Sequence, residues 1–432
     1  MKTTFVIPSM RYWSQPTKQQ PLTNLYLMTI IDRVFEDTSR LCDLRGADDP
    51  LKVEIPDSDL YLYSVNSPDF AEVKQIIKKL RKERPRSKHI GGGAHINIFP
   101  EESIKLFDSI VLGDGEESII QLVQDHQIGN LNSCYKVPRK DEKKYPFPRR
   151  DYLDDKLIVN PDFFKLFPGI SATSTLFSKG CPFKCSFCAN YRSRTPIRRS
   201  DEQITKELDY LKSLYSIDGI SMMDEICIPL VEKEALSYLE VMGQSGLKWK
   251  GQVRSGVPLD MLKRANQAGC LELSFGVESA SQAVVNLNKK RIKLDEVKRT
   301  IHNCHEAGIK AFINLINGLP GESSNIVEET KRFVTESDPD LVALFSFCPY
   351  PGSEIYDKPL DYGIRPDSIN RDFSTYVHHV RSSKNTKDDL DHILPFEYLP
   401  QGPLGRTLNR KQITANLVEL QQFILEHNLN RK

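Results

Sequence analysis

Apolar positions in the first third of the chain follow two rhythms. Short continuous runs at residues 4–7, 60–65, 88–90 and 109–112 suit buried strands, whereas residues 22–35 and 70–82 carry their apolar side chains at helical spacing. In the second of these helices Phe70, Val73, Ile76, Ile77 and Leu80 share one face and lysines take the other. It should therefore lie on a sheet with its basic side in water, and the run KKLRKERPRSK reads as a solvated face, not a phosphate site. Alternation of this kind predicts a Rossmann-like parallel sheet domain over residues 1–135. The polar, proline-bearing stretch KVPRKDEKKYPFPRRDYLDD then marks a linker over residues 136–170.

Residues 171–356 resume the alternation more regularly. The strand candidates are STLFS, GISMM, KGQVR, LELSFGV, KAFINLI and LVALFSF, separated by helical spacing at 202–214, 231–242, 259–268, 281–307 and 325–335. Six strands in series with right-handed crossovers predict a parallel barrel or partial barrel, and the expected architecture is a partial (β/α)6 barrel. Ser200 and Gln203 form a capping box before its first helix. Residues 357–432 lose this regularity until an amphipathic helix at 411–426, and are expected to cover the substrate. The expected class is α/β throughout.

Charge and cysteine usage narrow the chemistry. Lys+Arg 59 against Asp+Glu 58 leaves +1 over 432 residues, so no global field draws the chain to nucleic acid or an anionic membrane, and neither is expected as a partner. No apolar run approaches the ~18 residues a span needs, and the N-terminus lacks a secretory pattern, so the expected location is cytoplasmic. Nine scattered cysteines do not make a disulfide framework. Cys42, Cys134, Cys227, Cys270, Cys304 and Cys348 are isolated and read as small packed side chains.

The other three stand in SKGCPFKCSFCANY as C-x3-C-x2-C, directly after the first barrel strand. Three thiolates on one glycine- and proline-bearing loop can wrap a compact inorganic core. A four-iron cubane held by Cys181, Cys185 and Cys188 would keep one iron open for a small molecule. Zinc is the competing reading, but a structural zinc needs a fourth ligand and none follows before Cys227. The position, after a barrel strand, is where such folds place chemistry.

The segment GCPFKCSFC resembles the signature of the radical S-adenosylmethionine (SAM) superfamily. The resemblance implies a [4Fe-4S] cluster whose open iron chelates the amino and carboxylate groups of SAM, with one-electron reduction releasing methionine and a 5′-deoxyadenosyl radical. It also implies an external electron donor such as flavodoxin or ferredoxin. Phe187 would contact adenine, the alternative being a core aromatic. Asp224 or Glu225, ending the second strand, can pair with the ammonium. Arg254, ending the third, offers a planar fork to the carboxylate, and Glu278 or Ser279, after the fourth, can meet ribose hydroxyls. Gly318-Leu319-Pro320-Gly321 reads as a structural turn with Glu322 in the first turn of the helix after it.

Upstream, HIGGGAHINIFPEESIKLFDSIVLGDGEESI resembles the cobalamin-binding-type N-terminal domain of a large branch of the same superfamily. Its glycine-bearing loops, with Ser67, Gly91, Gly92, Gly93, Gly113, Gly115 and Glu116, would hold cobalamin as a further cofactor. The D-x-H-x-x-G ligand motif is absent, and the H-x-x-G of His126 and Gly129 ends a late helix, so the corrinoid's lower face would be unligated by protein.

The leading functional expectation is cobalamin-dependent methylation of an unactivated carbon on a small-molecule or peptide substrate. The alternatives are a cobalamin-independent radical oxidation, cyclisation or rearrangement with the first domain as scaffold, a nucleic-acid-modifying enzyme, and a non-catalytic iron–sulfur or corrinoid sensor. Tyr376, His378, His379 and Arg381 are expected near the barrel mouth, without an assigned role.

Overall fold

The five buried residues Thr3–Ile7 form β1, an interior strand of the first sheet, in a computed structural model that describes residues 1–13, 15–36, 39–139, 145–164, 166–189, 194–376 and 394–430. The described chain divides into two units. The first takes in Met1–Asn160, Arg198–Glu207 and Asp372–Ser374, and the second the remainder.

In the first unit the expected strands appear as β1, β3 (Leu60–Ser64), β4 (Lys88–Gly92) and β5 (Ser109–Val111). Two that periodicity did not reveal, β2 (Arg40–Asp43) and β6 (Cys134–Tyr135), flank them, giving the all-parallel order β2-β1-β3-β4-β5-β6. Both are edge strands: one is polar and half exposed and the other two residues long, so neither carries a buried apolar run. Helices α1 (Leu22–Phe35), α2 (Phe70–Glu83) and α3 (Glu116–Gln127) provide the crossovers. Val73, Ile76, Ile77 and Leu80 of α2 are fully buried in one cluster with Val6, Tyr61, Tyr63 and Ile110. Each such side chain contributes roughly 1.5–3 kcal/mol. Lys74 and Lys78 face water, as the helical spacing requires.

Part of the polar stretch after residue 136 is packed. Arg150 is wholly buried and donates to Glu207 at 2.8 Å, while Arg199 donates to that carboxylate's other oxygen at 2.6 Å. A second positive charge on one buried carboxylate offsets the desolvation that a lone pair would bear.

The second unit contains β7 (Ala172–Thr175), α4 (Asp201–Leu214, shared with the first unit), β8 (Gly219–Met222), α5 (Glu232–Ser245), β9 (Lys248–Val253), α6 (Leu259–Gln267) and β10 (Cys270–Glu278). Then come α7 (Gln282–Leu287), α8 (Leu294–Glu306), β11 (Lys310–Asn317), α9 (Ile326–Ser337), β12 (Leu341–Ser346) and α10 (Arg410–Glu426). All six strands pair in parallel in the sequential order β12-β11-β10-β9-β8-β7, the partial barrel expected. Parallel pairing in chain order puts every strand's C-terminal end on one rim.

The capping box at α4 is present, with Gln203 N donating to Ser200 Oγ at 3.3 Å and Ser200 N donating to Gln203 Oε1 at 3.0 Å. The single helix expected over 281–307 is instead two. Residues 288–293 break it, and Lys289 and Arg291 adopt φ of 53° and 55°. Left-handed backbone at two charged residues leaves no compositional trace, so spacing alone joined the helices. His378, His379 and Arg381 lie outside the described residues, and Tyr376 is buried with its hydroxyl donating to Asn370 O at 2.7 Å. No helix among the described residues is long and apolar enough to cross a membrane.

Candidate active site

The three-cysteine loop leaves β7 through Gly180, at φ 96°, and turns where Cys188 N donates to Cys185 O at 3.1 Å. None of the three is in a disulfide; Cys181 and Cys185 are half-buried and Cys188 is exposed. The loop is pinned through Ser186, which is fully buried. Its N–H donates to Asn288 O at 3.1 Å, its hydroxyl to Asn288 Oδ1 at 3.3 Å, and its carbonyl accepts from Ile355 N at 3.1 Å. Thiols thus project from a loop whose intervening residue is held by two other segments.

Among the described residues no three His, Cys, Asp or Glu side chains converge as the ligands of a single ion would. A polynuclear cluster gives each thiolate its own iron, so it requires three thiols on one loop, not three at one point. The donor set fits a [4Fe-4S] cluster. Cys227, the only later cysteine near enough in sequence to complete a zinc site, is buried against Gly251, whose added Cβ would fall 2.7 Å from its sulfur.

The other expected residues lie on the same rim. Asp224 is buried and already engaged, Oδ2 accepting from Phe177 N at 3.1 Å and Oδ1 from Ser178 Oγ at 2.5 Å. Burial raises its carboxyl to about 6 despite these donors. It fastens the end of β7, from which the cysteine loop departs. Glu225, next to it, is half-buried.

Arg254 Nη2 donates to Lys290 O at 2.5 Å and Arg291 O at 3.1 Å, and its guanidinium carbon stands 3.5 Å from the centroid of Phe183 in the cysteine loop. Glu278 closes β10 at φ 71°, after a bulge in its pairing with β11, and pairs with Lys290 Nζ at 2.7 Å. Ser279 is buried, its hydroxyl accepting from Ser281 N at 3.2 Å. Phe187 is partly buried against the cluster that includes Leu319, Phe347 and Ile355. Sequence reasoning missed Asn288 and Lys290, whose significance lies in partners remote in sequence.

Glu322 departs from its expected place. The following helix begins only at Ile326, so Glu322 is not in its first turn. Buried instead, it accepts from Gly318 N at 2.8 Å and closes the turn. Burial raises its carboxyl to about 8, so it is neutral at pH 7. The unfolded chain releases that proton near 4.5 and the folded chain near 8. Its contribution to stability is therefore complete below pH 4.5, declines between 4.5 and 8, and is level above. Thermal denaturation of Glu322→Gln and wild type from pH 5 to 9 should show the variant gaining by a few kcal/mol as pH rises, because a neutral isostere has no such slope. Parallel curves would remove this assignment.

In the first unit the loops after β3, β4 and β5 share the C-terminal rim of the sheet. Gly93, at φ 96°, lies so close to Val65 that an added Cβ would be 2.7 Å from Val65 N. Asn97 joins two of these loops, donating to Gly93 O at 2.8 Å and accepting from Gly113 N at 2.7 Å. Gly113 itself, at φ 76°, has open space where a Cβ would stand.

The remaining positions are structural in their contacts. Gly91 faces the Phe107 ring, Gly92 has ordinary contacts, and Gly115 meets Leu27. Glu116 is buried and ion-paired with Arg139, and Ser67 Oγ lies 3.1 Å from His95 Nδ1. His126 ends α3 near Asp59 and Lys88, at the opposite rim, so its H-x-x-G is remote from the loops.

The profile of the Radical SAM superfamily matches residues 175–334. An uncharacterized methyltransferase of Pyrococcus horikoshii is 25% identical over 352 residues, 78% of this chain and 75% of that protein. An anaerobic magnesium-protoporphyrin IX monomethyl ester cyclase of Cereibacter sphaeroides is 24% identical across 70% of this chain, which spans only 53% of it. Among solved structures, the radical SAM methyltransferase TsrM from Kitasatospora setae, with cobalamin and a [4Fe-4S] cluster bound, aligns at TM-score 0.71 and 14% identity over 99% of this chain and 90% of that one. This likeness shows that the two parallel sheets follow the fold of a cobalamin-binding radical SAM protein. Residues 175–334 are thus a radical SAM domain, of a family that uses a [4Fe-4S] cluster and SAM.

Proposed function

We propose that the protein is a radical SAM enzyme that methylates an unactivated carbon, with the first unit holding cobalamin. The observation that carries this reading is the pairing, in one chain, of a three-thiol loop on one strand rim with a second parallel sheet whose rim carries glycine-bearing loops, Gly113 among them with open space at its Cβ position. Cys181, Cys185 and Cys188 would hold the cluster, which supplies the electron for SAM cleavage, and cobalamin would supply the methyl group.

The chain's own residues then bind and orient. Both oxygens of Asp224 are committed to the end of β7, so Glu225 is the acid we assign to the SAM ammonium. Arg254, steadied by two carbonyls at Nη2, offers its other nitrogens to the carboxylate. Glu278 and Ser279 serve the ribose, and Phe187 the adenine. Residues 357–432 would cover a small-molecule or peptide substrate. None of the nine cysteines is in a disulfide, which suits a reducing cytoplasm and a flavodoxin- or ferredoxin-type electron donor. The cyclase among the relatives favours a second reading, a radical ring closure without methyl transfer.

Anaerobic reconstitution followed by iron, sulfide and cobalt determination, an assay for 5′-deoxyadenosine and product mass tests the proposal. Four irons, bound cobalt and a product heavier by one methyl are expected. Turnover without cobalt and with loss of hydrogen would select the cyclase-like reading. Zinc or no metal at the cysteines would remove both.

A further inference from the structure

Gln252 is exposed although it lies in β9, an interior strand of a parallel sheet. Such sheets are normally covered on both faces, so an exposed side chain in mid-sheet marks a face left open. One face is closed here by helices. Met222 accepts from the Tyr238 hydroxyl of α5, and a Cβ on Gly251 would fall 2.7 Å from Cys227 Sγ and 3.3 Å from Met222 Cβ. Gln252, the next residue along, therefore points the other way, into the barrel. Its register partner Ser274 on β10 is half-buried between the buried Leu273 and Phe275, and Asn314 on β11 between the buried Ile313 and Leu315. Asn314 Nδ2 donates to Ser274 Oγ at 2.9 Å, so these two share the inner face.

The charged side chains on either side of this level are already paired. Two residues back along the strands, Lys250 and Glu272 are buried and stand 3.3 Å apart, with Lys250 also donating to Phe163 O. Towards the rim, Arg254 donates to two carbonyls of the turn after α7 and Glu278 pairs with Lys290. What is left between them is neutral. The Gln252 amide hydrogen-bonds to none of the described residues, and the Ser274 hydroxyl proton and Asn314 Oδ1 are likewise uncommitted.

That set discriminates by chemistry. A carboxylate or ammonium brought here would lose its water without gaining a free counter-charge. A wholly apolar group would leave two amides and a hydroxyl without partners. An amide brings an acceptor and a donor together, which is what Gln252 and Asn314 can each answer. Their backbones are roughly 12 Å apart, two strand spacings across and two residues along, a gap that the two inward side chains narrow to one planar group.

We infer that the hollow of the barrel selects its substrate by an uncharged amide, of a carboxamide or of a peptide, with Gln252, Ser274 and Asn314 as the residues that recognise it. The inference deepens the proposed function and rests on it for what the amide is held for: to fix the neighbouring carbon relative to the rim where Arg254 and Glu278 stand.

The test titrates full-length, anaerobically reconstituted protein, with SAM and without reductant, by saturation-transfer NMR. The probes are propionamide, N-acetylglycine N-methylamide, propionate and toluene. At least one amide should bind about tenfold tighter than propionate or toluene. Propionamide alone would point to a carboxamide as the source, and the glycine derivative to a peptide. Gln252→Leu and Asn314→Leu should each weaken the amide about tenfold and abolish its advantage over toluene, with iron per chain and thermal midpoint as in the wild type. Should a leucine variant lower the midpoint, the preference of the wild-type protein among the four probes still decides.

Propionate or toluene binding as well as the amides, no detectable amide binding, or unchanged amide affinity in both folded variants would each overturn the inference and leave the proposed function standing. Protein that prefers amides as expected but holds neither iron nor SAM would do the reverse, keeping the recognition and removing the radical chemistry.

Discussion

Replacing Cys181, Cys185 or Cys188 with alanine, one at a time, is expected to bring 5′-deoxyadenosine formation down to the level of the no-enzyme control. Two remaining thiolates cannot retain a cubane that already offers only three of its irons to the protein. Iron per chain should fall with activity. Fold should not: Cys188 is exposed and the other two half-buried, so each variant removes little packing and stability should change by about 0.5 kcal/mol or less. Cys134→Ala, an exposed thiol at an edge strand, serves as the control that changes neither quantity. Cys304→Ala, in a fully buried position, should cost stability while leaving iron in place. A full complement of iron and undiminished SAM cleavage in any of the three loop variants would mean that the cluster is held elsewhere.

These three residues were legible because their whole signal lies within one loop: nine positions contain the spacing, the glycine and the proline. The strands of both sheets were legible for a related reason, since burial on both faces of a parallel sheet leaves continuous apolar runs. Where that burial is missing the signal goes with it, as at Arg40–Asp43 and Cys134–Tyr135 on the sheet edges. The strand-end acids were visible as residue types but not as roles. Asp224 and Glu225 look equivalent in sequence, and only the donation from Phe177 and Ser178, more than forty positions away, separates them. The turn at Asn288 to Arg291 was invisible altogether. Its residues continue a helical pattern, and what breaks it is a set of partners on other segments: Ser186, Arg254 and Glu278.

The glycine loops of the first unit allow fold and ligand effects to be separated. Gly93→Ala meets two obstacles at once: φ 96°, and a Cβ 2.7 Å and 2.9 Å from the backbone N and O of Val65. Backbone atoms in a sheet rim cannot step aside as a flexible side chain can, so the variant should lose about 3 kcal/mol or more, seen as a lower urea midpoint. Gly113→Ala carries only the conformational cost of φ 76°, about 1 kcal/mol, because nothing lies within 4 Å of the new atom. If that open space is where cobalamin packs, a larger side chain there is tolerated by the protein but not by the ligand. Gly113→Leu should then remain folded, with SAM cleavage by the second unit intact, yet retain little cobalt after reconstitution with cobalamin. Gly93→Ala should lose cobalt only in proportion to its loss of folded protein under the same conditions. Gly113→Leu binding cobalt as the wild type does would place the corrinoid away from this loop, whatever the fate of Gly93→Ala.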